Sequence, residues 1–197
     1  GILVSGNKDD EINFFSQDSR QMKNGGMYIP LKGERFDGHN FIESAFQTGA
    51  QAIISEKDVK YEDKIVIKVK DTYQALKDMA IYLRSHRPVK VVGVTGSVGK
   101  TSTKDIIANV VSQKYSTLKT QGNNNNNIGL PFTIFKLEEQ EAAVIEMGMN
   151  HFKEISLLTN IAKPNIAIIT NIGTAHIGNL GSRENILKAK LEITESL

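Results

Sequence analysis

The sequence predicts an α/β protein, a small N-terminal α/β domain followed by a mostly parallel, doubly wound sheet. Three observations carry that prediction. Val91-Val92-Gly93-Val94, Ala142-Ala143-Val144-Ile145 and Ile166-Ala167-Ile168-Ile169 are continuous apolar runs of the length of strands buried on both faces. Helical patterns lie between them, such as Ile106, Ile107, Val110 and Val111. Ahead of them, strand and helix signals alternate on a smaller scale and end at Ser85-His86-Arg87-Pro88, where the residue before a proline resists helix. The expected domains are 1–85 and 86–197.

The elements follow in order. Met27-Tyr28-Ile29-Pro30-Leu31 reads as a short strand, and residues 32–38 as a turn-rich stretch. Phe41, Ile42, Ala45 and Phe46 recur at helical spacing, with Gly49 as a stop. Ala52-Ile53-Ile54 and residues 64–69 are further strands, and Asp71 is placed to cap a helix that carries Leu76, Met79, Ala80 and Leu83 on one face. Beyond Lys90 the repeat of strand, loop and helix sets in, and such sheets bind ligands at the carboxyl ends of their strands.

Composition narrows the function. The net charge of +2 implies no charge-driven partner such as a nucleic acid. With no cysteine there is no disulfide, thiolate metal site or cysteine nucleophile, as suits a reducing compartment. No apolar run approaches the ~20 residues of a spanning helix. The apolar residues 1–4 stop far too soon for a signal peptide. The first residue is Gly rather than Met, as in a chain whose native start is missing or replaced.

The chemistry concentrates at strand ends. The first run enters Thr95-Gly96-Ser97-Val98-Gly99-Lys100-Thr101 and then a helix. Glycines let N–H groups close on phosphate oxygens, and the helix N-terminus adds partial positive charge. Lys100 can reach terminal phosphates, and the Thr101 hydroxyl can ligate Mg²⁺. The general pattern G-x-x-x-x-G-K-[ST] would have glycine where Val94 stands. The second run ends in Glu146, either a Mg²⁺-binding acid or a surface glutamate. The third leads to His176, which alone reads as structural but shares the same sheet edge.

In a helix that Ser182 can cap, Lys190 shares a face with Ile186 and Ile193. A lysine there is costly unless paired, although spacing alone favours a stem that covers the core. The five asparagines at 123–127 form a flexible polar loop by composition, or a cluster of amides for a polar substrate.

Together these residues resemble one family, the Mur ligases of bacterial cell-wall synthesis, and within it the MurF branch. The resemblance rests on Thr-Gly-Ser-Val-Gly-Lys-Thr at 95–101, Gly-Asn-Asn-Asn-Asn-Asn-Ile-Gly-Leu-Pro at 122–131 and Glu-Met-Gly-Met-Asn-His at 146–151. It continues in Thr-Asn-Ile-Gly-Thr-Ala-His at 170–176, Gly-Ser at 181–182 and Ala-Lys-Leu-Glu-Ile at 189–193. Asp-Ser-Arg at 18–20 and Gly-Glu-Arg-Phe-Asp-Gly-His at 33–39 match as well. The family's loop does not require the outer glycine, so Val94 is no departure.

The resemblance implies ATP-dependent amide formation in the bacterial cytoplasm. A UDP-N-acetylmuramoyl-tripeptide carboxylate takes the γ-phosphate of ATP, and the amine of D-alanyl-D-alanine displaces phosphate from the acyl phosphate. It makes Lys100, Lys190 and His176 catalytic. It gives ATP to Thr95, Gly96, Ser97, Val98, Gly99, Lys100, Thr101 and Ser102. One Mg²⁺ would fall to Thr101 and Glu146, and a second to His176 and to Lys190 in carbamylated form. The substrate would meet Ser19, Arg20, Asp37, Gly38 and His39 in a UDP-sugar-binding domain. Asn123, Asn124, Asn125, Asn126, Asn150 and Asn171 would meet it in the central domain.

The expected assembly is a monomer with no nucleic-acid partner and no membrane insertion. Family members have three domains and about twice this length, so the chain reads as the first domain and part of the central one. It lacks the C-terminal domain and is expected to be inactive alone. The alternatives are a sister ligase that adds a single amino acid, and a nucleotide-binding regulatory module that uses the same loop as a switch.

Overall fold

The computed structural model describes residues 1–197. They pack as two compact units, Gly1–Asp78 and Met79–Leu197, which divide within a helix rather than at the proline that follows it.

In the first unit, strands β1 (Ile2–Ser5), β2 (Phe14–Ser16) and β3 (Gly26–Tyr28) precede helix α1 (Ile42–Thr48). Strands β4 (Ala50–Ser55) and β5 (Ile65–Lys68) then lead into helix α2 (Thr72–Ser85). The sheet order is β1-β5-β4-β3-β2, parallel throughout except that β1 runs antiparallel to β5. Gly49 stops α1 at φ 127°, with its N–H donated back to Ala45 O and Phe46 O. The Asp71 carboxylate caps α2 by accepting from Gln74 N at 2.9 Å.

β3 is shorter than the predicted run 27–31. Pro30 has no N–H to give a ladder, and the Leu31 carbonyl is taken by Gly38 N at 3.0 Å. β1 and β2 lie outside the predicted strands, because three or four residues are too few for an alternation to register. Tyr28, Ile42, Ala45, Ile53 and Val66 are buried together as this unit's core.

The second unit carries β6 (Lys90–Thr95), α3 (Lys100–Val111), β7 (Thr117–Lys119), α4 (Gly129–Ile134) and β8 (Ala142–Glu146). After these come α5 (Glu154–Ala162), β9 (Ile166–Ile169), α6 (Ile177–Leu180) and α7 (Arg183–Leu191). All pairings are parallel, in the order β7-β8-β6-β9. The three predicted apolar runs are β6, β8 and β9. Leu130, Ile145, Ile155, Ile161, Ile186 and Ile193 pack in one core cluster, and Val94, Ala108 and Val144 in another. Ala142–Ile145 of β8 are all buried, which is why that strand is apolar at successive rather than alternate positions, whereas β9, at the sheet edge, is only partly covered.

From β6 the chain runs out through β7 and β8 on one side and returns to β9 on the other. The carboxyl ends of β8, β6 and β9 therefore flank the point where the strand order reverses, the place where an open parallel sheet forms its binding crevice.

Candidate active site

The loop after β6 is shaped by its glycines. Gly96 has φ 151°, and a Cβ there would lie 1.8 Å from Thr170 Oγ1. Gly99 sits in the left-handed region at φ 81° and opens α3 directly. The loop is also tied to the end of β9. Asn171 accepts from Ser97 N through its carbonyl at 3.2 Å, and from Val98 N through Oδ1 at 3.2 Å. Thr170 Oγ1 donates to Val98 O at 2.6 Å, and Gly173 N donates to Ser97 Oγ at 3.0 Å. The structure thus places Asn171 against the phosphate loop rather than in the cleft. Lys100, in the first helical turn, folds its ammonium back on Gly96 O at 2.9 Å.

Glu146 ends β8 with 2% of its surface exposed. Thr101 Oγ1 donates to its Oε2 at 2.9 Å, and Asn125 Nδ2 donates to its Oε1 at 2.8 Å. Its backbone N–H goes to Thr120 Oγ1 at 2.9 Å. Glu146 is therefore an inward-facing carboxylate beside the loop, not a surface one. Ser102, one residue on, is exposed in the same turn.

A cleft of about 280 Å³ opens next to these groups. Lys100, Asn125, Asn126, Asn127, Asn150 and His176 line it, together with Glu154, which no sequence motif marked. Asn123 and Asn124 are exposed beyond that lining. Asn126 also starts α4, its Oδ1 accepting from Ile128 N and Gly129 N.

His176 has φ 66°, one of only three non-glycine residues in the left-handed region. Such backbone strain gathers at functional sites. Partial desolvation, then the charges of Lys190 and Lys100, hold its imidazole below the usual pKa. Lys190 is 1% exposed at the inner end of α7, whose N-terminus Ser182 Oγ caps by accepting from Asn185 N. Burial, and after it the ammonium of Lys100, pull the Lys190 pKa down to about 8. Lys190 is therefore a buried lysine whose charge is felt at His176, not a stem that carries its ammonium out to solvent. No group of three or more histidines, aspartates and glutamates forms a ready-made metal cage.

The first unit has its own cleft, of about 630 Å³, lined by Ser19 and Arg20 together with Asp18, Tyr28, Phe36 and Phe41. Arg20 grips Asp18 with two bonds, Nε to Oδ1 at 2.9 Å and Nη2 to Oδ2 at 2.8 Å. That guanidinium holds the Asp18 carboxyl down to about 2. The neighbouring expected residues have framework contacts instead. Asp37 accepts from His39 N at 2.9 Å, His39 Nε2 accepts from Glu56 N at 3.1 Å, and the Gly38 carbonyl accepts from Tyr28 OH at 2.9 Å. Phe36 and Phe41 are 63% and 45% exposed, and two uncovered aromatic rings beside a polar cleft suit a planar ring. Phe41 lies in the helical series of residues 41–46 and Phe36 in the 33–39 stretch, but neither pattern marks a ring left uncovered beside a cleft.

Known proteins match this arrangement. The profile of the Mur ligase middle domain matches residues 94–197, and that described as the Mur ligase family catalytic domain matches residues 11–84. The chain is 47% identical over 189 residues to the UDP-N-acetylmuramoyl-tripeptide–D-alanyl-D-alanine ligase of Bacillus subtilis, covering 94% of this chain and 41% of that one. It superposes on MurF from Acinetobacter baumannii with a TM-score of 0.89 at 39% identity, covering 94% of this chain and 41% of that one. On the MurF ligase of Thermotoga maritima in complex with ADP the TM-score is 0.85 at 38% identity, covering 95% of this chain and 44% of that one. The chain thus spans about two fifths of the length of the relatives it matches. The middle-domain profile runs over residues 94–197, more than half of the chain, and the chain belongs to the Mur ligase family.

Proposed function

We propose that this chain is the nucleotide- and substrate-binding part of a MurF-type ligase. The whole enzyme joins D-alanyl-D-alanine to UDP-N-acetylmuramoyl-tripeptide in the cytoplasm at the expense of ATP. One observation carries the reading. Lys100 and His176 line a single asparagine-rich cleft at the carboxyl ends of three adjacent strands, and its Asn125 is bonded to Glu146 of the Thr101–Glu146 pair. No helix is long and apolar enough to cross a membrane.

In each step one bond to the reacting centre forms and another breaks. A carboxylate oxygen of the muramoyl-peptide bonds to the γ-phosphorus as the bond to ADP breaks. The amine nitrogen then bonds to the acyl carbon, phosphate leaves from the tetrahedral adduct, and the amine's proton is lost. The protein's part is mainly positioning and charge neutralisation. The loop N–H groups and the α3 N-terminus hold phosphates, and Lys100 exchanges Gly96 O for their oxygens. Thr95 Oγ1, at the base of the loop, is the one buried side-chain polar atom without a hydrogen-bond partner, which suits a loop whose ligand completes it.

The donor set fits Mg²⁺. Thr101 Oγ1 and Glu146 Oε2 are hard oxygens 2.9 Å apart, and Mg²⁺ is commonly held by one or two carboxylates with phosphates and waters, so no larger cage is needed. When bound there, the ion neutralises charge on the phosphates. Near a pKa of about 8, Lys190 has the neutral amine that carbamylation by CO₂ requires. The carbamate would give His176 an anionic neighbour at a second Mg²⁺ site. The first unit's cleft, with Arg20 and its exposed rings, is assigned the UDP-sugar end of the substrate.

Phosphate release by the full-length protein tests the reaction. It is expected only when UDP-muramoyl-tripeptide and D-alanyl-D-alanine are both supplied with ATP and Mg²⁺. Release with lysine or diaminopimelate in place of the dipeptide would make the protein a sister ligase.

A further inference from the structure

Of the five asparagines at 123–127, only Asn125 is not exposed. It lines the cleft, and its side-chain amide is turned toward the end of β8. The amide Nδ2 donates to Glu146 Oε1 at 2.8 Å, and a carboxylate only accepts, which fixes the orientation of the amide. Its backbone is pinned on both sides, its N–H donating to Asn123 O at 2.8 Å and its carbonyl accepting from Gly148 N at 2.8 Å. Asn125 is thus bonded through its side chain to Glu146, the last residue of β8, and through its carbonyl to Gly148, two residues further on.

A carboxylate at the end of a strand has a free torsion and two equivalent oxygens. Here one oxygen is engaged by Asn125 and the other by Thr101. The backbone of Glu146 is fixed separately, by Thr120 Oγ1 at 2.9 Å. In turn the Thr120 carbonyl accepts from the buried Lys104 Nζ at 2.9 Å. The main chain at Glu146 is therefore held without help from Asn125, and what Asn125 adds is the rotation of the carboxylate. Outer-shell partners of this kind orient metal ligands and raise metal affinity.

We infer that Asn125 is a positioning residue for Mg²⁺ rather than a substrate contact: it engages Glu146 Oε1 so that Oε2 is presented, beside Thr101 Oγ1, to the metal. The inference rests on the proposed Mg²⁺ site at Glu146. It also links two parts of the cleft, because the segment that carries the substrate-facing amides of Asn126 and Asn127 is bonded to the carboxylate that faces the nucleotide.

The test uses this chain with a fluorescent ADP analogue, titrated with Mg²⁺ and, separately, in EDTA. Asn125→Leu keeps the volume of the side chain and removes its donor. The midpoint of Mg²⁺-enhanced binding is expected to rise about 10- to 100-fold, with analogue affinity in EDTA and the melting temperature close to wild type. A folded Asn125→Leu whose Mg²⁺ midpoint is unchanged, or whose affinity falls equally with and without Mg²⁺, overturns the inference. Glu146→Gln is the control on the underlying site. If it shifts the midpoint and Asn125→Leu does not, the positioning role alone fails. If neither wild type nor Glu146→Gln responds to Mg²⁺, the metal site itself fails and the inference with it.

Discussion

At the inner end of α7, Lys190 keeps an amine in a place where an ammonium is costly. Its ordinary pKa of 10.5 falls to about 8 because water is excluded and Lys100 is near. The unfolded chain therefore binds the proton more tightly than the folded one. Below about pH 8 the folded state bears this penalty in full, and the penalty is relieved as pH rises from about 8 toward 10.5. Lys190→Met should be the more stable protein at pH 7, by on the order of 3 kcal/mol. In urea unfolding in CO₂-free buffer the gap should narrow steadily above pH 8. A gap that stays constant with pH would show that Lys190 folds with an ordinary pKa. The carbamate has its own signature, a carbonyl resonance after exposure to ¹³CO₂ that grows as pH rises through 8 and is absent from Lys190→Met.

Elements fix the loop more than its own residues do. The phosphate loop is held by the end of β9 through Thr170 and Asn171, and Gly96 lies against that strand end with no room for a side chain. Gly96→Ala should lower the melting temperature and weaken nucleotide binding by at least about tenfold, since both a left-handed φ and a clash are imposed. Gly96→Ala/Thr170→Ala removes the nearest atom and should recover part of the loss, leaving the backbone strain. No recovery in a nucleotide titration would place the clash elsewhere. Element ends elsewhere are secured by single side chains of this kind. Arg84 in the last turn of α2 donates to the carbonyls of Ala162, Lys163, Arg87 and Val89, and so stops α5 with a guanidinium. The Glu192 carboxylate accepts from Lys153 N and Ser156 N at its other end.

At the scale of the whole molecule, the two clefts predict two separable affinities. Calorimetry on this chain should show ADP–Mg²⁺ binding that is sensitive to Lys100→Met, and UDP-muramoyl-tripeptide binding weakened about tenfold by Arg20→Ala, the loss of one charge-assisted contact. Each substitution should leave the other ligand's affinity within a factor of about three. Tight nucleotide binding with no heat from the UDP-sugar would favour a nucleotide switch instead.

By itself the sequence determined strands β6, β8 and β9, the glycine-rich loop that ends in Lys100-Thr101, and the placement of Glu146 at the end of β8. Each follows from a local rule: continuous hydrophobicity, backbone permissiveness or a helix start. It did not determine β1, β2 or β7, because such short strands are specified by the neighbours they pair with. Nor did it determine which way a polar side chain turns. Lys190 by spacing looked like a stem over the core, and the tertiary packing buries it whole, where the charge of Lys100 adds to burial in lowering its pKa. Asn125 and Asn171 sit in motifs that suggest substrate, yet packing aims one at Glu146 and the other at the phosphate loop. Spacing along a chain sets which element a residue occupies, whereas its partner is set by what other elements bring within about 3 Å, and that only the folded sheet decides.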